Sequence, residues 1–352
     1  MRERGKGFTL ARVLGLCGVF LVLMLVAFLV SVRFGDQPIS LHSALFGKPT
    51  SKDALIFWSV RMPRAVLAAL VGAGLAASGT TLQGVLRNPL ADPFILGVSG
   101  GAALGATLAL AVGLASVGEV APDLGGGLAR LSAPTLFAFV GAVAAMLFVL
   151  AASRGHGGRT PDVALLIGVV FNSFASAVIT LIKTLSDPNQ LGAILHWLAG
   201  TLGHERAGTL ALSVLLQVAA IGVMLALSGR LNLLTLGDED AASLGVSVAS
   251  TRRLLLLAAS ASVAGAVALS GLIGFVGLIV PHLLRLAFGP DQRLLVPLSA
   301  LGGAAFLMLA DLLARLTFPL FGGDPPVGVV TALLGGPLFL ALLYRRGRLT
   351  AA

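Results

Sequence analysis

Charge is scarce in this chain. Asp, Glu, Lys and Arg make up 11% of its 352 residues, where a soluble domain carries roughly 25%. So few charges cannot cover a water-facing surface, which excludes an ordinary soluble protein. Cysteine is nearly absent. Cys17, the only one, lies in an apolar run, so an intrachain disulfide and a thiolate metal site are excluded and Cys17 reads as a packing residue. No G-x-x-x-x-G-K-[ST] loop occurs anywhere; any ATP hydrolysis must come from another chain. Among the five histidines, only His282 falls within an apolar window.

Apolar sequence fills the space left by charge: 57% of residues are hydrophobic and mean hydropathy is +0.99. A helix needs about 20 apolar residues to span a bilayer. Windows of that kind fall near 13–32, 63–83, 94–114, 134–152, 162–182, 209–228, 253–270, 272–288, 294–316 and 327–344. An all-α membrane protein of about ten transmembrane helices follows, with 1–352 as a single transmembrane domain. The window at 272–288 is short, so unequal or broken helices are expected. The first window follows a basic N-terminus, MRERGKGFTLAR. It is long for a signal-peptide core and lacks a small-x-small cleavage site, so it reads as a retained helix.

The net charge of +9 has two readings, nucleic-acid binding and the positive-inside rule. With the N-terminus inside and ten spans, both termini lie inside. Of 24 Lys and Arg, nine then face outward: Arg33, Lys48, Lys52, Arg61, Arg64, Arg130, Lys183, Arg206 and Arg315. The inward majority favours this orientation and removes nucleic acid as a partner. The outer set is still large, which suggests an acidic partner on that side.

Forty-five glycines lie mostly inside the apolar runs, where small residues let helix backbones approach closely. A weak echo pairs Ser78-Gly79…Pro89 with Ser270-Gly271…Pro281, the kind of signal an inverted repeat leaves.

Several constellations carry chemistry, each with a blander alternative. Arg61 and Arg64 lie three apart, hence on one helix face, and Arg315 can join them. They read as a docking point for acidic residues of an external protein, or as interfacial anchors. Gly237, Asp238, Glu239, Asp240, Ala241, Ala242, Ser243, Leu244 and Gly245 read as a short amphipathic helix ending at a glycine, against a solvated connector. Arg87, Asn88, Pro89 and Asp92 form an inner turn in which Asp92 can cap the third span. Asp311 and Arg315 suit an i,i+4 ion pair, either structural or part of a proton relay. His196, Trp197 and His204 suit contact with a metal chelate at an entrance, or interfacial anchoring. Gly97-Val98-Ser99-Gly100 matches the G-x-S-G of intramembrane serine proteases, with His282 as the base such a serine needs.

Taken in order, these pieces resemble the permease subunits of ABC importers for iron-siderophores, haem and cobalamin. The matches are Arg61-Met62-Pro63-Arg64, Leu82-Gln83-Gly84, Arg87 to Pro93, Leu96 to Gly101, Leu236 to Glu239 with Leu244-Gly245-Val246, Gly271 to Leu278 with Pro281-His282 and Arg285, Ala310-Asp311 with Arg315, and Pro326 to Ala332. They cover about 55–350. The resemblance implies a cobalamin-permease-like (type II) fold in the bacterial inner membrane and a homodimer with the pathway between subunits. It implies two ATP-binding subunits on the cytoplasmic 237–245 loop, carrying the ATP and Mg, and a periplasmic binding protein outside on Arg61, Arg64 and Arg315. This chain would hold no cofactor and would not be an enzyme. A secondary transporter and the intramembrane protease remain the alternatives from other classes. The chain departs from the family pattern at Asp324-Pro325-Pro326 and Gly335-Gly336-Pro337.

Overall fold

The computed structural model describes residues 9–35, 37–48, 50–114, 132–154, 161–203, 207–317 and 325–350. A long apolar helix comes first, α1 (Leu10–Arg33), then two short ones, α2 (Leu41–Phe46) and α3 (Lys52–Leu55). A π-helical turn (Ile56–Arg61) runs directly into α4 (Met62–Val85). A 3-10 turn (Pro93–Leu96) precedes α5 (Val98–Ala111), followed by α6 (Ala133–Arg154), α7 (Pro161–Leu185) and α8 (Pro188–Leu198). The rest comprises α9 (Ala207–Ala226), α10 (Ser228–Leu234), α11 (Asp238–Ser243), α12 (Val248–Ser270), α13 (Val276–Phe288), α14 (Gln292–Leu316) and α15 (Val327–Thr350).

Each of the ten apolar windows contains one of these helices. Seven are long and apolar enough to cross a membrane, and three shorter apolar helices, α5, α13 and the first part of α15, fill the remaining windows. In two windows the helix starts later than expected. The third opens with the 3-10 turn, and α5 begins only after Gly97, whose φ is +82°. The eighth begins at Val276 because the chain is non-helical from Gly271 to Phe275. Gly271 needs a positive φ of +65°, and a Cβ there would overlap the Trp197 carbonyl. The Ser-Gly echo has no structural counterpart: Ser78-Gly79 lies inside α4, whereas Ser270-Gly271 ends α12.

Burial orders the helices. In α4 and α12, 78% of the apolar window is buried, against 6% in α1 and 17% in α7. The former are the centre of the bundle and the latter its faces. Alternating apolar and polar residues cannot achieve this in a membrane; close backbone contact can. A Cβ on Gly72 would overlap the Gly303 carbonyl of α14, and one on Gly303 the Gly72 carbonyl. Gly101 of α5 and Gly141 of α6 meet in the same reciprocal way. Polar side chains add fixed points between central helices. The Ser78 hydroxyl donates to the Ala259 carbonyl (3.1 Å), Thr80 to Ser299 Oγ (2.6 Å), and Ser262 to Gln217 Oε1 (2.5 Å).

The Gly79–Gly277 contact between α4 and α13 is the tightest test of this packing. A Cβ on Gly79 would overlap the Gly277 carbonyl. Gly79→Ala is therefore expected to cost about 1–3 kcal/mol, as overpacking does. The thermal unfolding midpoint of the purified protein measures it, and an unchanged midpoint would show that the two backbones have room.

Candidate functional site

Three polar assemblies stand out against the apolar bundle. The first lies at the end where α1 stops. The three arginines expected to gather there do converge, but mainly on protein groups. Arg64 Nε donates to Asp311 Oδ1 at 2.9 Å, and Arg315 Nε to Asp311 Oδ2 at 3.0 Å. Arg315 also donates to the Phe34 carbonyl (3.1 Å), the Ser31 carbonyl (2.9 Å) and Ser31 Oγ (2.8 Å). Arg61, carried inward by the π-helical turn, donates to the carbonyls of Val32 (3.1 Å), Arg33 (2.9 Å) and Gln37. The first two are α1's last carbonyls, where a cation is favoured. Asp311 is wholly buried, Arg61 and Arg315 nearly so, and Arg64 keeps 19% of its side chain exposed. The Asp311–Arg315 pair read from spacing is thus present and is shared with Arg64.

The second assembly is at the opposite end of α4. The expected short helix forms as α11, and Gly245 ends it at a φ of +82°. Asp238 at its start accepts from Arg252 of α12 at 2.7 Å and from Arg87 just past α4. Arg87 adopts a left-handed φ of +50° and also donates through Nε to the Leu234 carbonyl at 2.9 Å. Partial burial pushes the Asp238 carboxyl up, but the hydrogen bonds and charges of Arg252 and Arg87 outweigh it and hold the group below the usual carboxylate range. In the same turn, Asn88 Oδ1 accepts from the Leu90 amide at 2.9 Å. Asp92 caps the 3-10 turn through the Phe94 amide (2.8 Å) rather than the third span, because Gly97 occupies that helix's N-cap.

The third assembly was not singled out by the sequence. Two adjoining cavities of about 550 and 290 Å³ lie between α5 and α7 and share Ser99, Asn172 and Ser176. Asn172 joins the walls: its amide donates to the Phe94 carbonyl at 2.9 Å, and its oxygen accepts from the Gly100 amide at 3.2 Å. Along α7, Ser173, Ser176, Thr180 and Thr184 form an exposed stripe at helical spacing. Such a stripe is wasted on lipid and suits a wet path. Its period, together with an asparagine inside a span, was the signal available in the sequence.

The remaining expected residues do not join these assemblies. Ser99 donates its hydroxyl to the Phe94 carbonyl at 3.0 Å, and neither cavity it lines contains a histidine. His282 is buried edge-on to Phe339. The G-x-S-G string is therefore a helix start with, among the described residues, no histidine lining its cavities. His196 is exposed on α8, Trp197 packs partly buried against the core, and neither lines the two cavities between α5 and α7. His204 and Asp324 lie outside the described residues.

Comparison with known proteins adds four findings. A model of the FecCD transport family matches residues 22–345. The hemin transport system permease protein HmuU of Yersinia pestis is 41% identical over 335 residues, covering 94% of this chain and 95% of that one. The cobalamin import system permease protein BtuC of Halobacterium salinarum is 42% identical over 301 residues, 86% of this chain and 76% of that one. A solved structure, described as an inward-facing conformation of a metal-chelate type ABC transporter, superposes with a TM-score of 0.79. It is 31% identical, over 94% of this chain and 99% of that one.

Proposed function

Since the chain belongs to the FecCD transport family, we propose that it is the permease subunit of a binding-protein-dependent ABC importer for a metal chelate. An iron-siderophore or haem is the favoured cargo, with cobalamin as the runner-up. Two of its relatives are named for hemin and cobalamin, both metal-centred macrocycles.

The observation that carries this reading is the Arg87–Asp238–Arg252 triad. It ties a short helix outside the bundle to its two most buried helices. A helix so placed can pass a push from a partner into the core. Two ATP-binding subunits would sit on α11 at the cytoplasmic side, and their closure on ATP would move α11 against α4 and α12. Because α12 packs on α5 and α6, and α5 on α7, the push reaches the wall of the groove. Rearranging packed helices in this way is enough to change which side a cavity opens to. No covalent chemistry is asked of this chain.

The Asp311 end would face the periplasm and receive the binding protein. Arg64, with its accessible edge, is the group to meet an acidic partner, and Arg61 and Arg315 hold the surface behind it. Both termini would be cytoplasmic in a multi-pass inner-membrane protein. The weakly buried α7 and α1 faces leave room for lipid and for a second copy, with the pathway between copies.

The assembly is tested by the mass of the complex obtained when the permease is co-expressed with its cognate ATPase. Two copies of each are expected. A permease that stays alone under those conditions would count against the reading.

A further inference from the structure

We propose that Lys183 is a specificity-determining residue that selects chelates bearing an anionic group, such as a carboxylate, in the groove between α5 and α7. This rests on the importer reading above and names the charge of its cargo.

The smaller cavity is lined by Ser99, Asn172, Ser176 and Thr180, by apolar groups, and by Lys183. Hydroxyls and amides both donate and accept, so they cannot choose the sign of a ligand's charge. Lys183 can, and no Asp or Glu lines either cavity. It is also the only ionisable residue in the span Val163–Leu185. Its side chain is half-buried, and among the described residues no carboxylate lies within ion-pairing distance of it. Asp187, its nearest acid in sequence, is committed elsewhere: one of its oxygens accepts from the Asn189 and Gln190 amides and starts α8. Charges in spans tend to pair or to mark a substrate path. Here the described residues supply no counter-charge, and the cavity is where one can enter. A lysine suits this work because its ammonium is a point charge on a flexible stem, able to follow carboxylates held at different distances from a metal.

The competing role is structural. Lys183 lies in the last turn of α7, where a cation favours the helix end whatever the cargo. Cargo charge separates the two. The complete transporter in nanodiscs is offered haem, with its two propionates, haem dimethyl ester, which lacks the acids, ferric citrate as a second anionic chelate, and cobalamin. Binding and ATP-driven uptake are measured for wild type, Lys183→Gln, Lys183→Glu and Lys183→Arg. Wild type should prefer an anionic chelate. Lys183→Gln should weaken it about tenfold, the usual size of one lost charge-assisted contact, and Lys183→Glu should weaken it further. Lys183→Arg should largely keep it, and the weaker binding of the neutral probes should not change. Preference for a neutral chelate, equal losses for charged and neutral probes, or no loss in either variant overturns the inference while leaving an importer in place. ATP-driven uptake of no chelate overturns the importer reading together with it.

Discussion

Replacing Asp311 with alanine is expected to cost about 3–5 kcal/mol of stability, the usual penalty for removing one partner of a buried ion pair. Asp311 has no exposed surface, and each of its oxygens takes an arginine Nε. Arg315 is also bonded to Ser31 and Phe34 at the end of α1, so it cannot swing out to water without undoing that contact. Truncation therefore leaves two guanidiniums facing each other with their shared carboxylate gone. Asp311→Asn keeps one acceptor and should fall between. Thermal unfolding in detergent measures both variants. If Asp311→Ala unfolds at the wild-type temperature, the carboxylate is not what holds α1, α4 and α14 together.

Asp238→Ala should do the opposite: little to stability, much to function. Here too one aspartate meets two arginines, yet Asp238 and Arg87 keep 39% and 36% of their side chains exposed. Exposed pairs contribute about 0–1 kcal/mol, so the unfolding midpoint should barely move. Without Asp238, α11 loses its ties to α4 and α12, and a push on it no longer reaches them. Uptake should fall at least about tenfold, equivalent to about 1.4 kcal/mol of lost coupling, while the partner's ATP hydrolysis continues. Unimpaired uptake by a folded Asp238→Ala transporter would remove α11 as the point of coupling.

The two triads also show what sequence could and could not reveal. Helix number and order were legible because a 20-residue apolar window is a strong, local signal. Gly245 announced the end of α11, and the spacing of Asp311 and Arg315 announced their pair. Burial of Arg61 and Arg315 was not legible, because it depends on carbonyls at the end of α1, 29 positions from Arg61 at Val32 and 284 from Arg315 at Ser31. A topology count places such arginines at one end of the bundle without saying whether they face out or in. The start of α5 was misread because Asp92, a good cap, precedes Pro93, and only the left-handed Gly97 shows that two helical segments follow in turn. The groove went unnoticed for a further reason. Ser173, Ser176, Thr180 and Asn172 each look tolerable in an apolar run, and only their common face makes a path.

One measurement bears most directly on the whole account: uptake of a radiolabelled iron chelate into proteoliposomes containing this permease, its ATPase and its binding protein. Uptake is predicted only when all three and ATP are present, with none on imposing a proton or sodium gradient across vesicles that hold the permease alone. Accumulation by the permease alone, driven by such a gradient and indifferent to ATP, would contradict it.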